Sequence, residues 1–225
     1  MSKHDPVEDA LKQHGYTRVK PSVYQWELGK PSTIEHFLFT SIWGGPDRYL
    51  NLDFGIRYRP AEDFAIDCIR KFGGPTYGTL RDDPNSDCKM RFPLGKLADW
   101  GARWSLSQRS LSSEQVRDRL CADVGKYLVP IVLRVSNLPA FLEVLERNDE
   151  DTSWVHVNGA IRAAQIIYLS SGIGTSQWDI LDRLRPFKGR IGANLQKHED
   201  TDRFLDDVIH YWNATKSVGS GRTEM

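Results

Sequence analysis

Residues 49–58 read YLNLDFGIRY, and this stretch limits the fold more than any other in the chain. Leu50, Leu52, Phe54, Ile56 and Tyr58 alternate with Asn51, Asp53, Gly55 and Arg57. A period of two sends the first set to one side of a β-strand and the second to the other. The strand is therefore expected to bury one face and wet the other, as in an antiparallel sheet.

Two more strands are expected upstream. VYQWEL carries Tyr24, Trp26 and Leu28 on one face, and TIEHFLFTSIW is rich in aromatic and β-branched residues. Gly29-Lys30-Pro31-Ser32 and Gly44-Gly45-Pro46-Asp47 separate the three strands with turn chemistry, which makes them an antiparallel meander. Within the second strand, His36 has the opposite parity from Phe37 and Phe39 and is expected to be a hydrogen-bonded strand histidine.

Helices surround this sheet in sequence. Asp5-Pro6-Val7-Glu8 starts the first, with Asp5 as cap, and Gly15 stops it. Val7, Ala10, Leu11 and His14 fall at helical spacing on its inner face. Pro60 opens AEDFAIDCIRKF, with Phe64, Ile66, Cys68, Ile69 and Phe72 as apolar positions, and Gly73-Gly74 closes it. Residues 75–87 are a loop by composition. CKMRFPLGKLADWGARWSL then holds two extended pieces, MRFPL and RWSLS, read chiefly as closure of the sheet edge. Ser112 and Gln115 fit a capping box for SEQVRDRLCADVGKYLVP, which is expected to kink or stop near Gly125 and Pro130. Asn137 begins PAFLEVLERN.

RNDEDTS, residues 147–153, is polar and hinge-like, and beyond it only helical patterns occur: VHVNGAIRAAQIIYLS, TSQWDILDRLRPF and DTDRFLDDVIHYW. The expected organisation is an α+β domain over residues 1–148, a helical subdomain over 149–216 and a disordered tail over 217–225. The fold class is α+β, an antiparallel meander with helices on one face.

The arrangement over residues 5–148 resembles the uncharacterised bacterial family catalogued as domain of unknown function 4304. The residues that carry the likeness are the HGYTR junction after the first helix, Tyr24 and Trp26, YLNLDFGIRY, then Cys88, Arg91, Leu94, Gly95, Leu97 and Trp104, and finally LPAFLEVLE. Family members often carry adjacent tryptophans where this chain separates Trp100 from Trp104. The resemblance implies a fold and a bacterial setting, and no established activity.

Thirty basic and thirty acidic residues cancel in the 225-residue chain, so no global field draws it to nucleic acid or to a membrane. The N-terminal segment has no apolar core of a secretory signal, and three cysteines without paired spacing suggest reduced thiols, hence a cytoplasmic location. No histidines pair at i and i+4 and no Cys-x-x-Cys occurs, so neither metal nor cofactor is expected. SSGIGTSQW lacks the strand and the lysine of a phosphate loop and is read as a glycine stop joined to a Ser or Thr cap. No catalytic residues are assigned.

Two candidate surfaces remain. Arg91 and Arg103, flanked by Trp100 and Trp104, have the chemistry to hold an anionic ligand. Asp82, Asp83 and Asp87, with Glu146, Asp149, Glu150 and Asp151, would suit docking of a basic protein. The leading expectation is a non-enzymatic protein-binding module, with an immunity protein that occludes a bacterial toxin as its sharpest form. The alternatives are a small enzyme or binding protein for an anion around Arg91, Arg103 and Trp104, and a scaffold that assembles through its C-terminal helices.

Overall fold

The computed structural model describes residues 5–26, 34–43, 49–73, 90–93, 104–105, 113–147, 159–195 and 201–219. It shows the α+β class, with an antiparallel sheet and a set of C-terminal helices. The chain divides into two compact units, which interleave in sequence.

The first unit opens with α1 (Pro6–Gln13), whose N-terminus is closed by Asp5: its Oδ1 accepts the Val7 N–H at 3.0 Å. Val7, Ala10 and Leu11 are buried. Among the described residues six strands follow: β1 (Tyr16–Lys20), β2 (Val23–Trp26), β3 (Glu35–Trp43), β4 (Tyr49–Arg57), β5 (Met90–Pro93) and β6 (Trp104–Ser105). Strands β1 to β5 lie in sequence order, and β6 pairs with β4 as well. All pairings are antiparallel.

β1 has no strong counterpart in the sequence pattern. It is an edge strand whose centre, Thr17, Arg18 and Val19, is exposed, so Tyr16 is its one buried residue. Charge on an edge discourages pairing with another chain, and it also hides the strand from a hydrophobic scan. The turn into β2 uses Ser22 at φ 64°, a left-handed conformation that a two-residue link requires.

Leu50, Leu52, Phe54 and Ile56 are all buried, as their alternation requires, whereas Tyr58 lies past the end of β4, at the start of the helix over residues 59–72, and is half-buried. The opposite face is not wet, however. Gly55 stands opposite Phe37 and Arg57 opposite Glu35, and Phe37, Phe39, Gly55 and Arg57 are all buried. Phe37 and Phe39 supply the apolar surface that the β4 pattern alone does not reveal. Arg57 is accommodated there because its Nε donates to Glu35 Oε2 at 2.7 Å and its guanidinium lies 4.8 Å above the Phe37 ring. A buried guanidinium needs such partners to offset its lost hydration.

Helix α3 (Ser113–Asp123) runs into a π-helical turn, Val124–Leu128, and then into α4 (Val129–Arg134). Pro130 thus causes no stop. The Val129 N–H bonds to Val124 O, five residues back, and this wider turn relieves the crowding a proline ring imposes on the preceding turn. Asn137 caps the next helix, α5 (Leu138–Glu146), by accepting the Ala140 N–H at 3.0 Å.

The second unit contains α2 (Arg59–Phe72), the later part of α5, α6 (Gly159–Gly172), α7 (Gln177–Leu184), α8 (Lys188–Asn194) and α9 (Thr201–Gly219). A 3-10 turn, Arg185–Phe187, joins α7 to α8. α6 is the hub: every residue from Gly159 to Ser170 except Tyr168 is buried, and α2, α7, α8 and α9 pack on it. α2 therefore groups with the C-terminal helices, where a continuous unit over residues 1–148 was expected. α8 was not expected either, since KGRIGAN carries two glycines and a weak helical signal. α9 extends to Gly219, into the segment expected to be a tail.

Arg162, buried on α6, closes the C-terminus of α5. Its Nε donates to Leu145 O at 2.5 Å, its Nη2 donates to Arg147 O, and its guanidinium lies 4.3 Å over Phe187. Carbonyls left open by the end of a helix are met here by a side chain rather than by water. Among the described residues no single helix is long and apolar enough to cross a membrane.

Candidate binding surface

Most of the candidate site residues named from the sequence lie outside the described residues: Asp82, Asp83, Asp87, Trp100, Arg103, Asp149, Glu150 and Asp151. Arg91 lies in β5 opposite Gly55, and Trp104 in β6 opposite Leu50. Both strands run along the edge of β4 that β3 leaves open, which is the placement expected of a sheet closure. Glu146, from the acidic group, is half-buried and accepts an ion pair from Arg183 Nη1 at 2.7 Å. Its carboxylate is therefore used within the second unit.

His36 lies in β3, in the core of the first unit. It is 1 % exposed, stacks on Phe54 and meets Trp26 edge-on, and its ring nitrogens are buried, with the Val135 backbone as a polar neighbour outside good hydrogen-bond geometry. Burial pushes its imidazole down to about 4, against a weaker opposing pull from the Val135 backbone. It is thus a neutral aromatic member of the core. Among the described residues no three His, Cys, Asp or Glu side chains are grouped to hold a metal ion.

The described thiols are structural. Cys68 is buried in α2, and burial pushes its thiol up to about 12. Cys121, on α3, meets His14 just beyond the end of α1, a contact across 107 residues that sequence spacing could not show. Its Sγ is 3.2 Å from His14 Nε2 and donates to Gln13 Oε1 at 3.0 Å. A cysteine beside a histidine is the geometry of an activated nucleophile only if the imidazole can take the thiol proton. Here His14 Nε2 lies 2.7 Å from the Cys121 carbonyl oxygen. A carbonyl only accepts, so Nε2 carries the proton and is not a base towards Sγ. Trp26 Nε1 donates to His14 O at 3.1 Å, and the whole group fastens α1 to β2 and α3. The signal for it in the sequence was His14 at the fourth inner position of α1.

In the second unit, Tyr58, Phe64, Phe72, Tyr168, Tyr211 and Trp212 form a continuous half-buried aromatic cluster between α2, α6 and α9. Tyr211 donates its hydroxyl to Asp67 Oδ2 at 2.5 Å, and Lys71, paired with the same carboxylate at 3.0 Å, lies 3.7 Å over the Tyr211 ring. Partial burial raises the Asp67 carboxyl, but Tyr211 and Lys71 outweigh it and hold the group below its usual range. Ring centroids 4.7 to 6.3 Å apart are direct packing distances, so this cluster joins helices and leaves no space for a guest between its rings.

Among the described residues the large apolar side chains most open to solvent are Trp178, 73 % exposed, and Ile173, 65 %, on either side of the α6–α7 corner; Leu133 on α4 and Val19 on β1 are exposed singly. Local rules explain the corner itself. Gly174 takes φ 82°, and Ser176 Oγ accepts the Asp179 N–H at 3.2 Å while bonding Asp179 Oδ2 at 2.6 Å. The helix N-terminus is thereby already filled, as the reading of SSGIGTSQW required. Trp178 lies on the exposed side of α7, beside a cleft of about 300 Å³ shared with α8 and α9. Leu181 completes its apolar part. Asp182 pairs with Arg185 at 2.8 Å, and Lys188 pairs with Asp202. Asp206 completes the lining.

No family profile, curated protein or solved structure matches the chain.

Proposed function

We propose that the protein is a non-enzymatic protein-binding module and that the α6–α7 corner, with the cleft beside Trp178, is its docking surface. The observation that carries this is the exposure of Trp178 at 73 %. A tryptophan left in water forgoes about 2–3 kcal/mol of burial, and tryptophan is over-represented among the few residues that dominate binding energy at interfaces. Nothing in the local fold needs an indole there: Ile180 and Leu184 provide the buried face of α7. Ile173 adds a second apolar contact. The occupant is a protein carrying basic residues: Arg185 and Lys188 on the cleft rim are paired with Asp182 and Asp202, which leaves the Asp206 carboxylate to face a guest. A toxin bound and occluded is the specific form of this reading that the sequence favoured.

The test is site-specific photo-crosslinking in the native host, with the crosslinker at position 178, at 173 and, as control, at exposed Ala193. The crosslinked protein is then purified and titrated against the unmodified chain. Capture at 178 and 173 but not 193, with direct binding of the purified partner, supports docking here. Equal capture at all three positions would contradict it.

A further inference from the structure

We infer that the cleft beside Trp178 receives a lysine or arginine side chain of the partner. This rests on the docking reading above and names the chemistry of its central contact. Of the two cations in the cleft, Arg185 is matched by Asp182 and Lys188 by Asp202. Asp206 remains. Its backbone carbonyl accepts His210 Nδ1–H at 2.8 Å, but its carboxylate forms no ion pair with any described residue. Among the described residues the cleft thus holds one carboxylate without a paired cation, beside an indole ring that is open to solvent.

Three classes of guest can be weighed against this geometry. An anion would face the Asp206 carboxylate and would have to draw Arg185 or Lys188 away from existing partners. A purely aliphatic side chain could cover Trp178 and Leu181 but would strip water from Asp206 without replacing it. A lysine or arginine does neither. Its methylene stem covers Leu181, its charged head pairs with Asp206, and its cation can lie over the indole face. Each contribution at an exposed site is modest, about two- to five-fold in affinity for the cation over the ring and at most about five-fold for the ion pair. The cleft therefore confers selectivity, and the rest of the docked surface must supply most of the affinity.

The experiment follows the indole N–H resonance of Trp178, assigned by its loss in Trp178→Phe, in isotope-labelled full-length protein. Four capped tripeptides of the form Gly-X-Gly are titrated, with X as arginine, lysine, glutamate or norleucine. The arginine and lysine peptides are expected to shift the resonance saturably. They should bind about five-fold tighter than the norleucine peptide, and tighter still than the glutamate peptide. Asp206→Asn should weaken the arginine peptide about two- to five-fold without moving the melting temperature. Equal affinity for arginine and norleucine, no effect of Asp206→Asn, or no shift with any peptide would overturn the inference. The docking reading fails separately: a purified partner whose affinity ignores Trp178→Ala would dispose of it even if the peptides bind as expected.

Discussion

His36 lies parallel to Phe54, ring centroids 5.7 Å apart and planes within 15°, with both imidazole nitrogens buried. An ordinary histidine takes a proton near pH 6.5; this one, held down to about 4 by burial, stays neutral in the folded state. Between those two values the unfolded chain binds a proton that the folded chain does not. Stability is therefore complete above about pH 6.5 and falls as the pH drops towards 4, where the loss levels off. Going from about pH 7.5 to pH 5 should cost about 2 kcal/mol through this residue alone. Denaturant melts of His36→Leu and the parent at both pH values check it. The variant should lose about 2 kcal/mol less on acidification, and identical slopes would refute the assignment.

The His14–Cys121 contact makes a second prediction. If it fastens helices rather than activating a thiol, the imidazole matters and the sulfur does not. His14→Phe leaves the Cys121 carbonyl without its donor and should cost about 1–3 kcal/mol. Cys121→Ser keeps a hydroxyl for Gln13 and should change stability by less than about 1 kcal/mol. A Cβ at Gly125 would come within 2.8 Å of His14 Cε1, so Gly125→Ala should destabilise as well, despite the better helix propensity of alanine. Chemical denaturation of the three variants decides, and a stabilised Gly125→Ala would show that the imidazole is not held in place.

Two further glycines in the second unit should respond with opposite sign. A Cβ at Gly159 would meet Arg190 O at 2.6 Å, and backbone of a packed helix cannot swing aside as a side chain can. Gly189, on α8, has nothing within 4 Å of that position. Gly159→Ala should cost about 1–3 kcal/mol. Gly189→Ala should add about 0.5–1 kcal/mol by restraining the unfolded chain. Thermal melts of both test the packing of α6 on α8, and equal effects would contradict it.

What the sequence revealed follows from how local each cause is. Asp5, Ser176 and Asn137 announce their helices because a cap acts within three residues. β4 is legible because its inner face repeats every second residue. The burial of Arg57 was not, because it depends on Glu35 and Phe37 in another strand, and parity alone reads an arginine as wet. Pro130 suggested a break, but whether a helix stops or widens depends on the packing around it. The candidate site fared similarly. The sequence drew attention to SSGIGTSQW and its capping residues, yet the exposure of Trp178 is a property of the packed helices: a tryptophan among Ile180, Leu181 and Leu184 reads as core until the buried face of α7 is known.

Trp178 is expected to contribute to binding and not to folding. Calorimetric titration of the purified partner into the parent chain and into Trp178→Ala, with melting temperatures measured on the same samples, tests this most directly. A central interface tryptophan is worth about 2 kcal/mol or more, so the variant should bind at least about ten-fold more weakly while melting within a degree or two of the parent, as expected for a surface substitution. Unchanged affinity, or a loss of binding that merely follows a large drop in melting temperature, would contradict the account.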